Sequence, residues 1–132
     1  MAGYDFRLDF LVRDYECDLQ GVVNNAVYLH YLEHARHEYL KTLGLDFASL
    51  ARQQINLVLV RAEIDYKSPL RSGDRFWVGL RIERLSRLRF VFFQDLYRQP
   101  EEQLVLQAGV IGTAVNERGR PILPAPLIDA LG

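Results

Sequence analysis

The segment Asp18-Leu19-Gln20-Gly21-Val22-Val23-Asn24-Asn25 holds the residue types best suited to chemistry. Its carboxylate stands seven residues before Asn25, where a long helix is predicted to begin. The first turn of a helix carries unpaired N–H groups and the positive end of the helix dipole. Acyl transfer needs a nucleophile or base, and donors for the oxyanion that forms. Asp18 could supply the first and the helix start the second, with Gly21 letting the backbone turn between them. On spacing alone, a surface-turn Asp followed by an Asn cap accounts for the same residues more simply.

Other residues invite sharper readings that the bland ones outweigh. His30-Tyr31-Leu32-Glu33-His34 spells an inverted zinc-peptidase pattern, with His37 one turn on. A polar helix face explains the three His more simply, so no metal site is assigned. Cys17 adjoins Asp18, but neighbours on an extended strand point to opposite faces, so a buried structural thiol is expected. Glu33 and Glu63 read as surface charges, Glu33 pairing loosely with Arg36 or His37. Arg84, Arg87 and Arg89 cluster on one hairpin and could hold the phosphates of a coenzyme A or phosphopantetheine carrier. A solvated turn is the plainer alternative. No Gly-rich phosphate loop points to ATP or NAD.

The elements that must position these groups follow from periodicity. Phe6 to Tyr15 reads as a strand and Glu16 to Val23 as a loop. Asn24 or Asn25 caps a helix running to about Leu43, with Gly44 as its stop. Tyr28, Leu32, Ala35, Tyr39 and Leu43 form its apolar stripe. A short helix starts at Asp46 and fades near Gln53. The remainder alternates with period two. Val58, Val60, Ala62, Ile64 and Tyr66 share one face of a strand; Phe76, Val78, Leu80 and Ile82 follow on the next. Phe90, Phe92 and Leu96 lie on a third, and Leu104, Leu106, Ala108, Val110 and Ala114 on a fourth. The last three strands predict an antiparallel meander. The opposite face carries Leu57, Leu59, Trp77, Val91, Phe93, Val105 and Ile111. Either something covers it or strand edges meet another subunit, so an oligomer is expected.

A chain of 132 residues, 49% hydrophobic and 25% charged, predicts one globular domain over 1–132 rather than disorder. The net charge of -1 gives no basic field for nucleic acid. A single cysteine excludes an intrachain disulfide and fits a reducing, cytoplasmic setting. The longest aliphatic run, Leu57 to Val60, is too short to span a bilayer.

Three segments together carry a family likeness: Arg13-Asp14-Tyr15-Glu16-Cys17-Asp18, then Gly21-Val22-Val23-Asn24-Asn25-Ala26-Val27-Tyr28, then His34-Ala35-Arg36-His37-Glu38. This pattern resembles the start of a single-hotdog thioesterase of the 4-hydroxybenzoyl-CoA thioesterase family. Ile64-Asp65-Tyr66 and Pro69-Leu70-Arg71-Ser72-Gly73-Asp74-Arg75-Phe76 resemble the family's second signature. Within the family the likeness is strongest to plant acyl-lipid and methylketone-pathway thioesterases, which act on fatty acyl chains carried by acyl carrier protein.

The resemblance implies an α+β hotdog fold, an antiparallel sheet wrapped around one long helix. It implies a homodimer or homotetramer with sites at subunit interfaces, and no cofactor. Asp18 takes the catalytic position, and the Asn25 backbone N–H the place that polarises the thioester carbonyl. Gly21, Val22, Asn24 and Tyr28 fall where substrate binds. Relatives often carry His where this chain has Val22 or Asn25, so no catalytic imidazole is assigned, and Asp18 can either attack directly or activate water. The implied substrates are fatty acyl or 3-ketoacyl thioesters of acyl carrier protein or coenzyme A. Two alternatives stand beside them: an aryl-CoA thioesterase of the 4-hydroxybenzoyl-CoA or dihydroxynaphthoyl-CoA type, and a non-catalytic acyl-binding module.

Overall fold

The computed structural model describes residues 3–131. The elements run β1 (Phe6–Leu11), α1 (Asn25–Thr42), α2 (Phe47–Arg52), β2 (Asn56–Tyr66), β3 (Arg75–Arg84), β4 (Phe90–Arg98), β5 (Gln103–Val115) and α3 (Ala125–Leu131). One five-stranded sheet forms, in the order β1-β3-β4-β5-β2, with every neighbouring pair antiparallel. This is the α+β architecture expected, with α1 against one sheet face.

The helix α1 begins and ends where its residues dictate. Asn24 stays extended and its Oδ1 accepts the Ala26 N–H at 2.9 Å, an N-cap. Tyr28, Leu32, Ala35 and Tyr39 are buried along one stripe, joined by Tyr31 and Leu40. Asp46 caps α2 by accepting the Ser49 N–H. Two continuous clusters form the core. One joins the first half of α1 to Leu70, Phe76, Val78 and Leu106. The other joins its second half to Leu80, Phe90, Phe92 and Leu127. Each such side chain, fully buried, contributes about 1.5–3 kcal/mol.

Four expectations need correction. The first strand stops at Leu11, and Asp14–Glu16 is a turn of 3-10 helix. The alternation on β2 breaks at a bulge between Leu59 and Arg61. Leu57 opposite Ala114, and Leu59 opposite Gly112, therefore share the helix-side face with Ala62 and Ile64, which oppose Val110 and Ala108. Val58 and Val60 do not. A second shift, between Leu96 and Tyr97, sets Leu104 opposite Tyr97 and drops Val105 into the core beside Leu106, both 0% exposed. A bulge puts one extra residue on one strand, which inverts parity beyond it.

The outer face also needs no second subunit to cover its aromatics. Trp77 stacks on Tyr97 at 4.7 Å, meets Tyr4 edge-on at 5.7 Å and lies under the Arg7 guanidinium at 4.4 Å. Its Nε1 donates to Glu102 at 2.6 Å. Arg81 lies 4.6 Å above the Phe93 ring. Gly79 makes this packing possible, because a Cβ there would come within 2.8 Å of both Tyr4 and Trp77. Exposed apolar surface lies instead at the sheet edge, where Val58, Leu59 and Val60 are 41%, 52% and 44% exposed.

Candidate active site

The loop before α1 is closed by an isolated bridge between Cys17 and Val23. The Asp18 N–H donates to Val22 O at 2.9 Å, and the Gly21 N–H returns to Asp18 O at 3.0 Å. Gly21 sits at φ 79, where glycine alone turns freely. Cys17 packs against the core while Asp18, its neighbour, is exposed. Asp18 Oδ1 accepts the Gln20 N–H at 2.9 Å, a local bond that fixes the carboxylate's orientation.

A second loop clamps the first. Val22 bridges Arg71, the Val23 N–H donates to Leu70 O at 2.9 Å, and Ser72 Oγ bonds Asp14. The Leu70 N–H then donates to the Tyr28 hydroxyl at 3.0 Å. Both sequence signatures thus form one backbone unit at one end of the sheet. Tyr28 was expected to touch substrate. It is buried, its oxygen accepts the Leu70 N–H, and its ring meets Tyr31 and Tyr66. Burial raises its pKa, so it stays a neutral phenol. Its hydroxyl and ring tie the start of α1 to the clamping loop and to β2.

Glu16 was not singled out, yet it holds the loop to the helix. Its Oε1 accepts the Tyr31 hydroxyl at 2.9 Å and the Arg13 N–H at 2.8 Å, and its carbonyl accepts the Asn24 N–H at 3.1 Å. Burial, with that bond to Glu16, pushes the Tyr31 pKa well above the ordinary phenol range. No spacing rule would have found Glu16, because its partner lies fifteen residues away across the fold.

At the helix start the Asn24 cap takes the Ala26 N–H and leaves Asn25, the first helical residue, to present its own N–H. Asp18 and Asn25 therefore flank one short bridged loop. A carboxylate and a dipole-supported donor so placed can serve addition at a carbonyl.

The arginine hairpin lies elsewhere. β3 starts beside the clamping loop and ends at Arg84, about 30 Å away at strand rise. Arg84 Nη1 donates to the carbonyls of Ser86 and Arg87, so it staples its own turn. Arg87 and Arg89 are exposed. Within one subunit none of the three meets Asp18, whereas Arg71 adjoins its loop. Glu63 pairs with Arg61. Arg36 turns into the core and donates to Gln94 instead of pairing with Glu33. His30 and His34 are exposed on α1. Among the described residues no helix is long and apolar enough to cross a membrane.

Comparison with known proteins gives the family and the fold. A profile of the thioesterase-like superfamily matches residues 12–131. The chain is 41% identical over 114 residues to the chloroplastic acyl-acyl carrier protein thioesterase ATL2 of Arabidopsis thaliana, covering 86% of this chain and 61% of that one. It spans about 60% of the length of the plant relatives. It is 31% identical to a 1,4-dihydroxy-2-naphthoyl-CoA hydrolase of Synechococcus elongatus, covering 96% and 91% of the two chains. The crystal structure of Slr0204, a 1,4-dihydroxy-2-naphthoyl-CoA thioesterase from Synechocystis, superposes with a TM-score of 0.89 at 26% identity, covering 96% and 94%. The fold is the hotdog fold, and the chain belongs to the thioesterase-like superfamily.

Proposed function

We propose that this domain hydrolyses acyl thioesters, with Asp18 as nucleophile or general base and the Asn25 N–H as oxyanion donor. The observation that carries it is the exposed Asp18 carboxylate held on the same bridged loop as the first N–H of α1. In the general-base route Asp18 takes a proton from water as the oxygen adds to the carbonyl. The negative charge moves onto the carbonyl oxygen, toward the Asn25 N–H. Collapse expels the thiolate, which recovers the proton. Neither step requires a cofactor.

The substrate reading follows the relatives. The plant acyl-acyl carrier protein thioesterases support an acyl chain on a carrier as the first reading, here fatty acyl or 3-ketoacyl chains on carrier protein or coenzyme A. The naphthoyl-CoA hydrolases support an aryl-CoA substrate as the second reading. Thiol release from fatty, 3-keto and aromatic thioesters separates the two, the fatty panel being turned over fastest. Tight acyl binding with no thiol release from any of them leaves a non-catalytic module. The lone free Cys17 supports a reducing, cytoplasmic setting.

The working unit is a homodimer or homotetramer built on β2. This strand is eleven residues long, lies at the sheet edge and exposes Val58, Leu59, Val60 and Tyr66. Bare apolar edges invite pairing. Its Tyr66 end meets Tyr28 near the Asp18 loop, and its Leu57 end pairs beside Phe90 at the hairpin end. Antiparallel pairing of two copies would bring the arginine hairpin of one subunit to the Asp18 end of the other. Light scattering at micromolar concentration is expected to give at least a dimer, and a fully active monomer would refute the shared site. Replacing Arg87 and Arg89 together with Ala is expected to raise KM for carrier-linked substrates several-fold and leave kcat nearly unchanged, since contacts remote from the carbonyl are uniform binding. Unchanged kinetics would leave the hairpin to solvent.

A further inference from the structure

Two tyrosines on the first turns of α1 hold the two loops of the site, by hydrogen bonds of opposite sense. Tyr28 accepts the Leu70 N–H of the clamping loop at 3.0 Å. Tyr31, three residues on, donates to Glu16 Oε1 at 2.9 Å, two residues before Asp18. The Tyr31 ring is fixed: it is 4% exposed, with ring centroids of Phe76 at 4.7 Å, Phe10 at 5.4 Å and Tyr28 at 6.1 Å. A phenylalanine would fill the same place without a buried hydroxyl to satisfy. Among the described residues that hydroxyl makes one hydrogen bond, the one to Glu16.

Glu16 in turn holds the chain on both sides of the site. Its Oε1 also accepts the Arg13 N–H at 2.8 Å, and its own N–H returns to Arg13 O at 3.0 Å, closing the 3-10 turn. Its carbonyl accepts the Asn24 N–H at 3.1 Å, one residue before the Asn25 donor. Cys17, between Glu16 and Asp18, is fixed by its bridge to Val23. Asp18 is thus tied to the helix start by two routes, round the Gly21 turn and directly across Glu16. The turn has glycine at its bend and Leu19 and Gln20 exposed, so it leaves the loop free to move. The strut through Glu16 removes that freedom. The Glu16 side chain lines a groove with Phe10, Tyr31 and His34 in which Asp18 has no part, so it acts through the loop and not on the reacting carbonyl.

We propose that Glu16 and Tyr31 are positioning residues for the thioester chemistry, their hydrogen bond fixing the Asp18 carboxylate relative to the Asn25 N–H. The inference rests on the hydrolytic reading of the Asp18 loop. Reacting groups must be held within a fraction of an ångström by neighbours whose own side chains are locked, and the aromatic packing around Tyr31 supplies that lock. A displacement of about 1 Å can cost as much as a hundredfold in rate while substrate still binds. The bond therefore acts on kcat and not on KM.

Tyr31→Phe and Glu16→Ala in the full chain test it, by thiol release from the fastest-turned-over member of the fatty, 3-keto and aromatic CoA thioester panel. Each is expected to lower kcat at least about tenfold, with KM within about twofold of wild type. Glu16→Gln, whose amide oxygen can accept both hydrogen bonds, should recover most of the rate lost in Glu16→Ala. The double variant should be no slower than the slower single one, because both changes break the same bond. With Asp18→Asn already present, Tyr31→Phe should cost less than about twofold more, since positioning an absent carboxylate gains nothing. A mere loss of folded protein would lower the rate equally with and without Asp18→Asn. Should Glu16→Ala fail to fold, Tyr31→Phe, which keeps the packed ring, decides the matter. Wild-type kcat in Tyr31→Phe, or an equal fall in both backgrounds, would overturn the positioning role and leave the hydrolytic reading standing. No thiol release by the wild-type chain, or turnover retained by Asp18→Asn, would instead bring down that reading and this one with it.

Discussion

Asp18→Asn is expected to lower kcat at least about a hundredfold, the low end of what a general base contributes, while the protein stays folded. The substitution is nearly isosteric and removes both charge and basicity. The native carboxylate makes one local hydrogen bond, accepting the Gln20 N–H through Oδ1, and the amide oxygen of Asn can accept the same bond. The loop's closure rests on backbone bonds from Asp18 to Val22 and Gly21, which the change leaves intact. The stability cost should therefore stay within about 1 kcal/mol, the worth of one exposed hydrogen bond. Substrate affinity should change little, since the side chain is exposed and binds no acyl chain. Asp18→Glu should also be poor, because one methylene moves the attacking oxygen by about 1 Å, enough to spoil attack geometry. Thiol-release kinetics beside a thermal melt settle the matter. If Asp18→Asn retains more than about a tenth of wild-type kcat, where loss of a base predicts far less, the carboxylate is not catalytic.

Local signals made much of the fold legible, and non-local ones hid the rest. Asn24 and Gly44 bracket α1 by capping chemistry that acts within a few residues, so the helix could be read almost to its ends. The meander of β3, β4 and β5 followed from alternation and short turns. Strand parity failed at the two bulges, because an inserted residue leaves no mark in a stretch as uniformly apolar as Leu57-Val58-Leu59-Val60. The Asp18 loop stood out because carboxylate, glycine and helix cap are neighbours in sequence. Its supports were invisible for the opposite reason. Glu16 meets Tyr31, and Tyr28 meets Leu70 across 42 residues, through contacts that only the folded chain creates. Gln94 lies between Phe92 and Leu96 with no local signal to single it out, yet it is the fully buried partner of Arg36. The arginine hairpin shows the converse. Composition suggested phosphate, but strand length sets it at the far end of its own subunit.

Asn25→Pro isolates the oxyanion donor in a way that few substitutions can. Asn25 is the first residue of α1, where proline is favoured because its fixed φ suits the helix and its missing N–H has no intrahelical partner. The preceding residue also accepts it. Asn24 sits at φ -67 and ψ 144, the extended region that a following proline demands. Its cap survives, because Asn24 Oδ1 bonds the Ala26 N–H and not that of Asn25. The variant thus loses one N–H and an exposed amide side chain, and the melting temperature should hardly move. If the Asn25 N–H stabilises the developing oxyanion, kcat should fall about a hundredfold to a thousandfold, the measured worth of one such donor, with KM little changed. Asn25→Ala is the control: it removes the same side chain, keeps the N–H and should turn over near the wild-type rate. Equal activity of the Pro and Ala variants would move the oxyanion away from the helix start. A loss in both would transfer the role from the backbone N–H to the Asn25 side chain.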